Sequence, residues 1–125
     1  MRVGVIGASG AVGRELVDVL GRRAFPMTSL RLFASARSAG TKLKTPLGEA
    51  EIEPFSDAAM RDLDLALLAV SGDFAKAHAP AMVAAGVHVV DNSSAFRLQD
   101  DVPLVVPEVN AGAIGGAKLI ANPNC

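Results

Sequence analysis

The stretch Val3-Gly4-Val5-Ile6-Gly7-Ala8-Ser9-Gly10-Ala11-Val12-Gly13 runs from a short, β-branched apolar segment straight into a glycine turn. Beyond the turn, Val12, Leu16, Val17 and Leu20 recur at helical spacing, while Arg14, Glu15 and Asp18 fall on another face. Strand, glycine turn, helix is the order this predicts. Gly7, Gly10 and Gly13 permit a tight turn, backbone approach to a pyrophosphate, and close packing of the helix on the strand. The helix N-terminus would then face the phosphates with unbonded amides and the positive end of its dipole. The spacing is GxxGxxG rather than GxGxxG, so a glycine-rich turn that binds nothing fits the same residues.

The next apolar run bears on which dinucleotide would bind. Leu30 to Ala34 ends at Ser35-Ala36-Arg37-Ser38, where an NAD-binding fold carries an acidic residue for the ribose 2′-hydroxyl. No Asp or Glu lies there. A guanidinium flanked by two hydroxyls suits a 2′-phosphate, because arginine presents a planar fork of donors and stays charged. The reading is NADP rather than NAD, against the alternative of a solvated loop arginine.

Further along, strand and helix patterns alternate. Lys42-Leu43-Lys44 and Glu49 to Glu53 alternate polar and apolar residues around Pro46 and Gly48, as in a small hairpin or edge insertion. Asp57 to Arg61 is a short helix candidate. Leu65 to Val70 reads as a buried strand ending at Ser71-Gly72, and Asp73 to Ala85 as a helix broken or restarted at Pro80, with Gly86 as its C-cap. Val87 to Val90, Leu104 to Val106 and Lys118 to Ala121 are further strand candidates. Apolar strands separated by helices imply an α/β fold, a Rossmann-like, doubly wound and mostly parallel sheet with helices on both faces.

Ligands of such sheets bind beyond the carboxyl ends of the strands, and the polar clusters of this chain lie there. Asp91-Asn92-Ser93-Ser94-Ala95-Phe96-Arg97 gathers an amide, two hydroxyls and a guanidinium after a buried strand, a set fit to hold an anionic group; an N-cap and turn with a surface arginine is the plainer reading. The only cysteine, Cys125, follows the last apolar run through Asn122-Pro123-Asn124. A strand-to-helix turn favours a thiolate, so Cys125 is either a nucleophile or an inert terminal residue.

Composition narrows the function classes. A chain of 125 residues that is 50% hydrophobic makes one domain able to bury a core. A net charge of −1, scattered basic residues and the lack of Trp and Tyr argue against nucleic acid. No apolar run is long enough to span a membrane, and the first strand leaves no room for a signal peptide, so a cytoplasmic location is expected. One cysteine and two distant histidines, His78 and His88, make no convincing metal site; both histidines read as structural.

The blocks GASGAVG at 7 to 13, SARSAG at 35 to 40, LALLAVSG at 65 to 72, VVDNSSAFR at 89 to 97, VPLVVPEVN at 102 to 110 and IANPNC at 120 to 125 occur in order over the whole chain. Together they closely resemble the N-terminal, NADP-binding domain of the aspartate-β-semialdehyde dehydrogenases, up to the catalytic cysteine. The N-acetyl-γ-glutamyl-phosphate reductases share the architecture but read more like DLSADFR and NPGC at the two most specific blocks. A stand-alone NADP-binding module without chemistry is the alternative of a different class.

The resemblance implies NADPH-dependent reduction of L-aspartyl-4-phosphate to the semialdehyde through a cysteine thioester, a step toward lysine, threonine, methionine and isoleucine. It implies that Cys125 is the nucleophile, with Asn124 placed to orient or polarise the reacting group, and that Arg97 and Asn92 bind the substrate's phosphate and later free phosphate. It assigns Gly7, Ser9, Gly10, Ala11, Val12 and Gly13 to the pyrophosphate, Ser35, Arg37 and Ser38 to the 2′-phosphate, and Ser71 and Gly72 to the nucleotide further along. Residues 1–125 would form the dinucleotide-binding domain. The family's C-terminal catalytic α+β domain, with its general-base histidine, a glutamine and a second arginine, would be absent from this chain, and the complete protein would be a homodimer or homotetramer. No metal is implied.

Overall fold

In the computed structural model of the protein the described residues are 1–123; Asn124 and Cys125 lie outside them. Along the chain come β1 (Arg2–Ile6), α1 (Ala11–Arg22), β2 (Ser29–Ala34), β3 (Lys42–Thr45), β4 (Gly48–Pro54), α2 (Asp57–Met60), β5 (Leu65–Leu68), α3 (Gly72–Ala84), β6 (His88–Asp91), α4 (Pro107–Asn110), a 3-10 turn (Ala111–Ile114) and β7 (Leu119–Ala121). The strands form one 7-stranded sheet in the order β3-β4-β2-β1-β5-β6-β7. All neighbours pair parallel except β3, which closes a hairpin on β4 at the edge. The order reverses at β1, whose two neighbours are β2 and β5. A crevice opens at such a reversal, beyond the carboxyl ends of the strands. The fold is the Rossmann-like sheet that the strand and helix patterns imply.

Both faces of β1 are buried from Val3 to Ile6, which is why that run is continuously apolar rather than alternating. Val3 and Val5 of β1 pack with Leu32 and Ile52 against Val17 and Leu20 of α1. Ile6, Phe33, Ala66 and Leu68 point the other way, onto Ala75, Ala79 and Met82 of α3 and Met60 of α2. Fully burying one such aliphatic side chain contributes roughly 1.5–3 kcal/mol, so each strand is held mainly by its two faces.

Two local expectations fail for tertiary reasons. Pro80 does not break its helix: α3 is continuous from Gly72 to Ala84 with Pro80 inside it. Pro80 is exposed, while Ala75, Ala79 and Met82 are buried on the sheet and hold the turns on either side in line. The run Leu104 to Val106 makes no strand, only a bridge from Leu104 to Ala121. Pro103 and Pro107 flank it without amides, and Asn110 takes up its remaining groups: its side chain accepts from Val106 N at 2.7 Å and donates to Leu104 O at 2.9 Å. Among the described residues no helix is long and apolar enough to cross a membrane.

Candidate functional site

The turn after β1 shows why three glycines stand there, each for a different reason. Gly7 sits at φ +88°, and a Cβ on it would overlap the carbonyl oxygen of Ala69. Its amide and that of Ala8 both donate to Phe33 O, at 2.8 and 3.0 Å, locking the turn to β2. Gly13 is buried in α1, where a Cβ would run into Gly7 O and the Cα of Ala8. Gly10 is different. It has φ −79° and ψ 168°, which any residue adopts, and a Cβ there would come no closer than 3.5 Å to Gly7 O. The fold therefore has no need of glycine at position 10, whose open side faces solvent.

Above Gly10 the N-terminus of α1 has no side-chain cap and no acidic residue in its first turn. The first α-helical bond at this end runs from Arg14 N to Gly10 O, leaving the amides of Ala11, Val12 and Gly13 without a partner among the described residues. Val12 departs from the helical face drawn from the sequence: Val17 and Leu20 are buried, but Val12 is 49% exposed at the mouth of the turn. The first turn of α1 projects past the end of β1, so its apolar residue has no sheet beneath it.

A cleft of about 270 Å³ opens beside this helix end. It brings together Gly7 and Ser9 after β1, Ser35 after β2 and Ser71 after β5, with Phe55, Val70 and Phe74 as apolar walls. Ser71 caps α3, its hydroxyl oxygen accepting from Phe74 N at 3.2 Å, which leaves the hydroxyl proton free to donate outward. Arg37 and Ser38 do not line the cleft but follow Ser35, which does. Arg37 is exposed and has no carboxylate partner among the described residues, and Ser38 N donates to Ser35 O at 2.9 Å to shape the turn.

Phe55 and Phe74 belong to no motif, and nothing in the sequence pattern singles them out. The available signal was position, since each lies close behind the carboxyl end of a strand, β4 and β5. Their rings meet edge to face at 4.8 Å, with the His78 ring 4.8 Å from Phe55 and 4.4 Å from Phe74. His78 is tied by Nδ1 to Asp57 Oδ1 at 2.8 Å, so it supports the aromatic wall from behind. His88, exposed at the first residue of β6, sits at the opposite end of the strand from the rim.

A second polar cluster lies across the rim at the ends of β6 and β7. Arg97 Nε donates to Asn122 O at 2.7 Å and Nη2 donates to Asn92 O at 3.0 Å. The guanidinium is thus held by carbonyls and paired with no carboxylate among the described residues. Asn122 Nδ2 donates to Asn92 Oδ1 at 3.3 Å, linking the two strand ends. Gly72 bridges the clusters: a Cβ on it would lie 3.8 Å from Ser94 Oγ and from Ala95 N. Cys125 and Asn124, singled out in the sequence for the chemistry, fall outside the described residues.

The largest charge perturbation is far from either cluster. Arg2 donates from its side chain and its main-chain amide to Asp64, whose carboxyl is lowered to about 2. That contact clamps the start of β1 to the turn before β5. Larger hollows of about 460 and 490 Å³ also lie away from the strand carboxyl ends, one between α3 and β7 and one over the open face of β5 and β6.

Residues 2–117 match the family described as semialdehyde dehydrogenase, NAD binding domain. The chain belongs to that family. An aspartate-semialdehyde dehydrogenase of Synechocystis is 44% identical over 126 residues, covering 100% of this chain and 37% of its relative. Among solved structures, aspartate semialdehyde dehydrogenase II of Vibrio cholerae complexed with ASA superposes with a TM-score of 0.91 at 38% identity, over 99% of this chain and 42% of the other. The Candida albicans enzyme with NADP gives a TM-score of 0.78 at 29% identity, over 99% and 42%. The chain thus spans about two-fifths of the length of these relatives.

Within this semialdehyde dehydrogenase domain the structure groups the sequence-marked residues in two sets. Gly7, Ser9, Ser35 and Ser71 line one crevice after β1, β2 and β5, and Gly10, Ala11, Val12, Gly13, Arg37, Ser38 and Gly72 follow them in the same segments of chain. Asn92 and Arg97 form the other set, at β6 and β7.

Proposed function

We propose that this domain binds NADP(H) across the crevice between β1, β2 and β5, as the cofactor half of an aspartate-semialdehyde dehydrogenase. The observation that carries this is the bare N-terminus of α1: unbonded amides over a glycine that the fold itself does not require. A pyrophosphate satisfies all of them at once. Arg37, without an ion-pair partner among the described residues and close to Ser35 and Ser38 in the chain, offers the 2′-phosphate a charge-assisted fork, and the segment that follows β2 carries no acidic residue to repel it. Phe55 and Phe74 supply an apolar wall suited to the flat face of a base. A nicotinamide dinucleotide held there supplies a hydride to a bound carbonyl.

The complete protein, in this reading, reduces L-aspartyl-4-phosphate in the cytoplasm. The Cys125 thiolate attacks the acyl carbon, the carbon–oxygen bond to phosphate breaks, and the phosphate departs toward Arg97 and Asn92. Arg97 is suited to this because carbonyls orient it without neutralising it. The acyl group remains as a thioester until reduction breaks the carbon–sulfur bond and restores the thiolate. Leu98, 96% exposed, and Val109, 81% exposed, are apolar residues that an association into a homodimer or homotetramer, or the remaining length seen in the relatives, would cover.

Titration by NADPH fluorescence tests the cofactor assignment, and the chain has no Trp to interfere. The expectation is tighter binding of NADP(H) than of NAD(H). Arg37→Ala should remove on the order of 1.5–3 kcal/mol from the former and almost nothing from the latter. Equal affinity for the two cofactors sinks the assignment.

A further inference from the structure

Asp91 and Ser93 are the buried polar residues among those described, Asp91 at 0% and Ser93 at 7% exposure. Asp91 makes no ion pair among the described residues, and its carboxylate is spent locally. Oδ1 accepts from Ser93 N at 2.9 Å, Oδ2 accepts from Ser93 Oγ at 2.7 Å, and Ser93 Oγ in turn accepts from Ala95 N at 3.2 Å. With residues 91 and 93 cross-tied and Asn92 N donating to Leu68 O at 3.1 Å, the peptide that carries Asn92 O has little freedom to turn. The main chain of Asp91 acts on the other side. Its carbonyl accepts from Asn122 N at 2.9 Å, which holds the Ala121–Asn122 peptide, the one before the peptide that carries Asn122 O, against the end of β6.

Asn92 O and Asn122 O are the two oxygens that hold the Arg97 guanidinium. We propose that Asp91 is the positioning residue for Arg97: its carboxylate fixes the peptide of Asn92 O, the anchor of Nη2, while the main-chain pairing of β6 with β7 holds the segment that carries the other anchor. This rests on the reading of Arg97 as the phosphate-binding group. The chemistry explains why an acid stands so near an anion site. A solvent-facing carboxylate here would pair with Arg97 and compete with phosphate. Turned inward, with both oxygens engaged by Ser93, Asp91 organises the arginine without quenching it.

The experiment uses the full chain and has three readouts: the Arg97 1Hε–15Nε correlation in NMR, titration with inorganic phosphate, and titration with NADPH. Asp91→Asn keeps the shape but loses the charge, and Ser93→Ala removes the hydroxyl that saturates Oδ2. In each variant the guanidinium, loosened at Nη2, should be held by the Nε–Asn122 O bond alone, so that the Arg97 Nε–H loses protection from exchange and shifts. The phosphate dissociation constant should rise about tenfold, as expected when a charge-assisted bond becomes neutral. NADPH affinity should stay within about a factor of two, because a structural lesion spreading from β6 would weaken it as well.

Folded variants with an unchanged Arg97 signal and unchanged phosphate affinity overturn the proposal. If Asp91→Asn does not fold, Ser93→Ala decides on the same readouts. Arg97→Ala separates the two levels: if it leaves phosphate binding intact, the phosphate role of Arg97 falls, and the Nε signal still decides whether Asp91 positions it.

Discussion

Replacing Gly10 and Gly13 one at a time by alanine should separate binding from folding within four residues. At Gly13 the added methyl would meet Gly7 O and the Cα of Ala8, which are backbone atoms that cannot move aside without opening the turn. Overpacking of this kind costs about 1–3 kcal/mol, against which the better helix propensity of alanine returns up to about 1 kcal/mol. Gly13→Ala should therefore lose on the order of 1–2 kcal/mol of stability, a drop in Tm of several degrees. At Gly10 the backbone suits any residue and the nearest atom is 3.5 Å from the new methyl. Stability should change by less than about 1 kcal/mol, since alanine restricts the unfolded chain more than glycine does but is the poorer N-cap for α1. Its methyl, however, stands where a pyrophosphate must approach the amides of Ala11, Val12 and Gly13. Losing even one bond to a charged group costs about 1.5–3 kcal/mol, so NADPH affinity should fall at least tenfold. Thermal melting by circular dichroism and NADPH fluorescence titration read the two effects independently. A Gly10→Ala chain that folds and binds NADPH like the parent refutes the placement of the pyrophosphate, and a Gly13→Ala chain as stable as the parent refutes the packing argument.

Other consequences are open to the same methods. Phe74→Ala, which removes one wall of the cleft, should cost roughly 1–3 kcal/mol of NADPH binding if the base stacks there, and affinity within twofold of the parent excludes that contact. Asp64 is lowered to about 2 from an ordinary 3.8 by the Arg2 side chain and amide. A lowered folded-state value means stability that is present above about pH 4 and lost as pH falls toward 2. Asp64→Asn should flatten acid denaturation across that window, and parallel profiles would contradict it. Pro80→Ala restores an amide on the exposed side of α3 and should raise stability by about 1–3 kcal/mol, and an unchanged or lower melting temperature would contradict it. The side of β5, β6 and β7 away from α3 carries half-buried Leu65, Leu67, Val90 and Ile120. Sedimentation of the chain alone should show association. A stable monomer at high concentration would mark an independent module.

The sequence by itself determined the local elements and the rim on which polar residues gather. Val3 to Ile6, the glycine turn and Ala11 to Leu20 have their meaning within a few residues, because helix and strand periodicities and a left-handed glycine are short-range properties. The apolar character of β1, β5 and β6 pointed to a doubly covered parallel sheet for the same reason. Only the tertiary structure decided which of those pieces work together. Phe55 and Phe74 come from different strand ends, after β4 and β5, and become one wall through the order β4-β2-β1-β5. Pro80 stays helical because α3 is clamped to the sheet, and Leu104 to Val106 loses its strand because Asn110 takes the hydrogen bonds the ladder would need. Arg97 reads as a lone guanidinium until β6 and β7 are laid side by side. Its anchors are main-chain oxygens 5 and 25 residues away, and a carbonyl carries no signature in the amino-acid sequence.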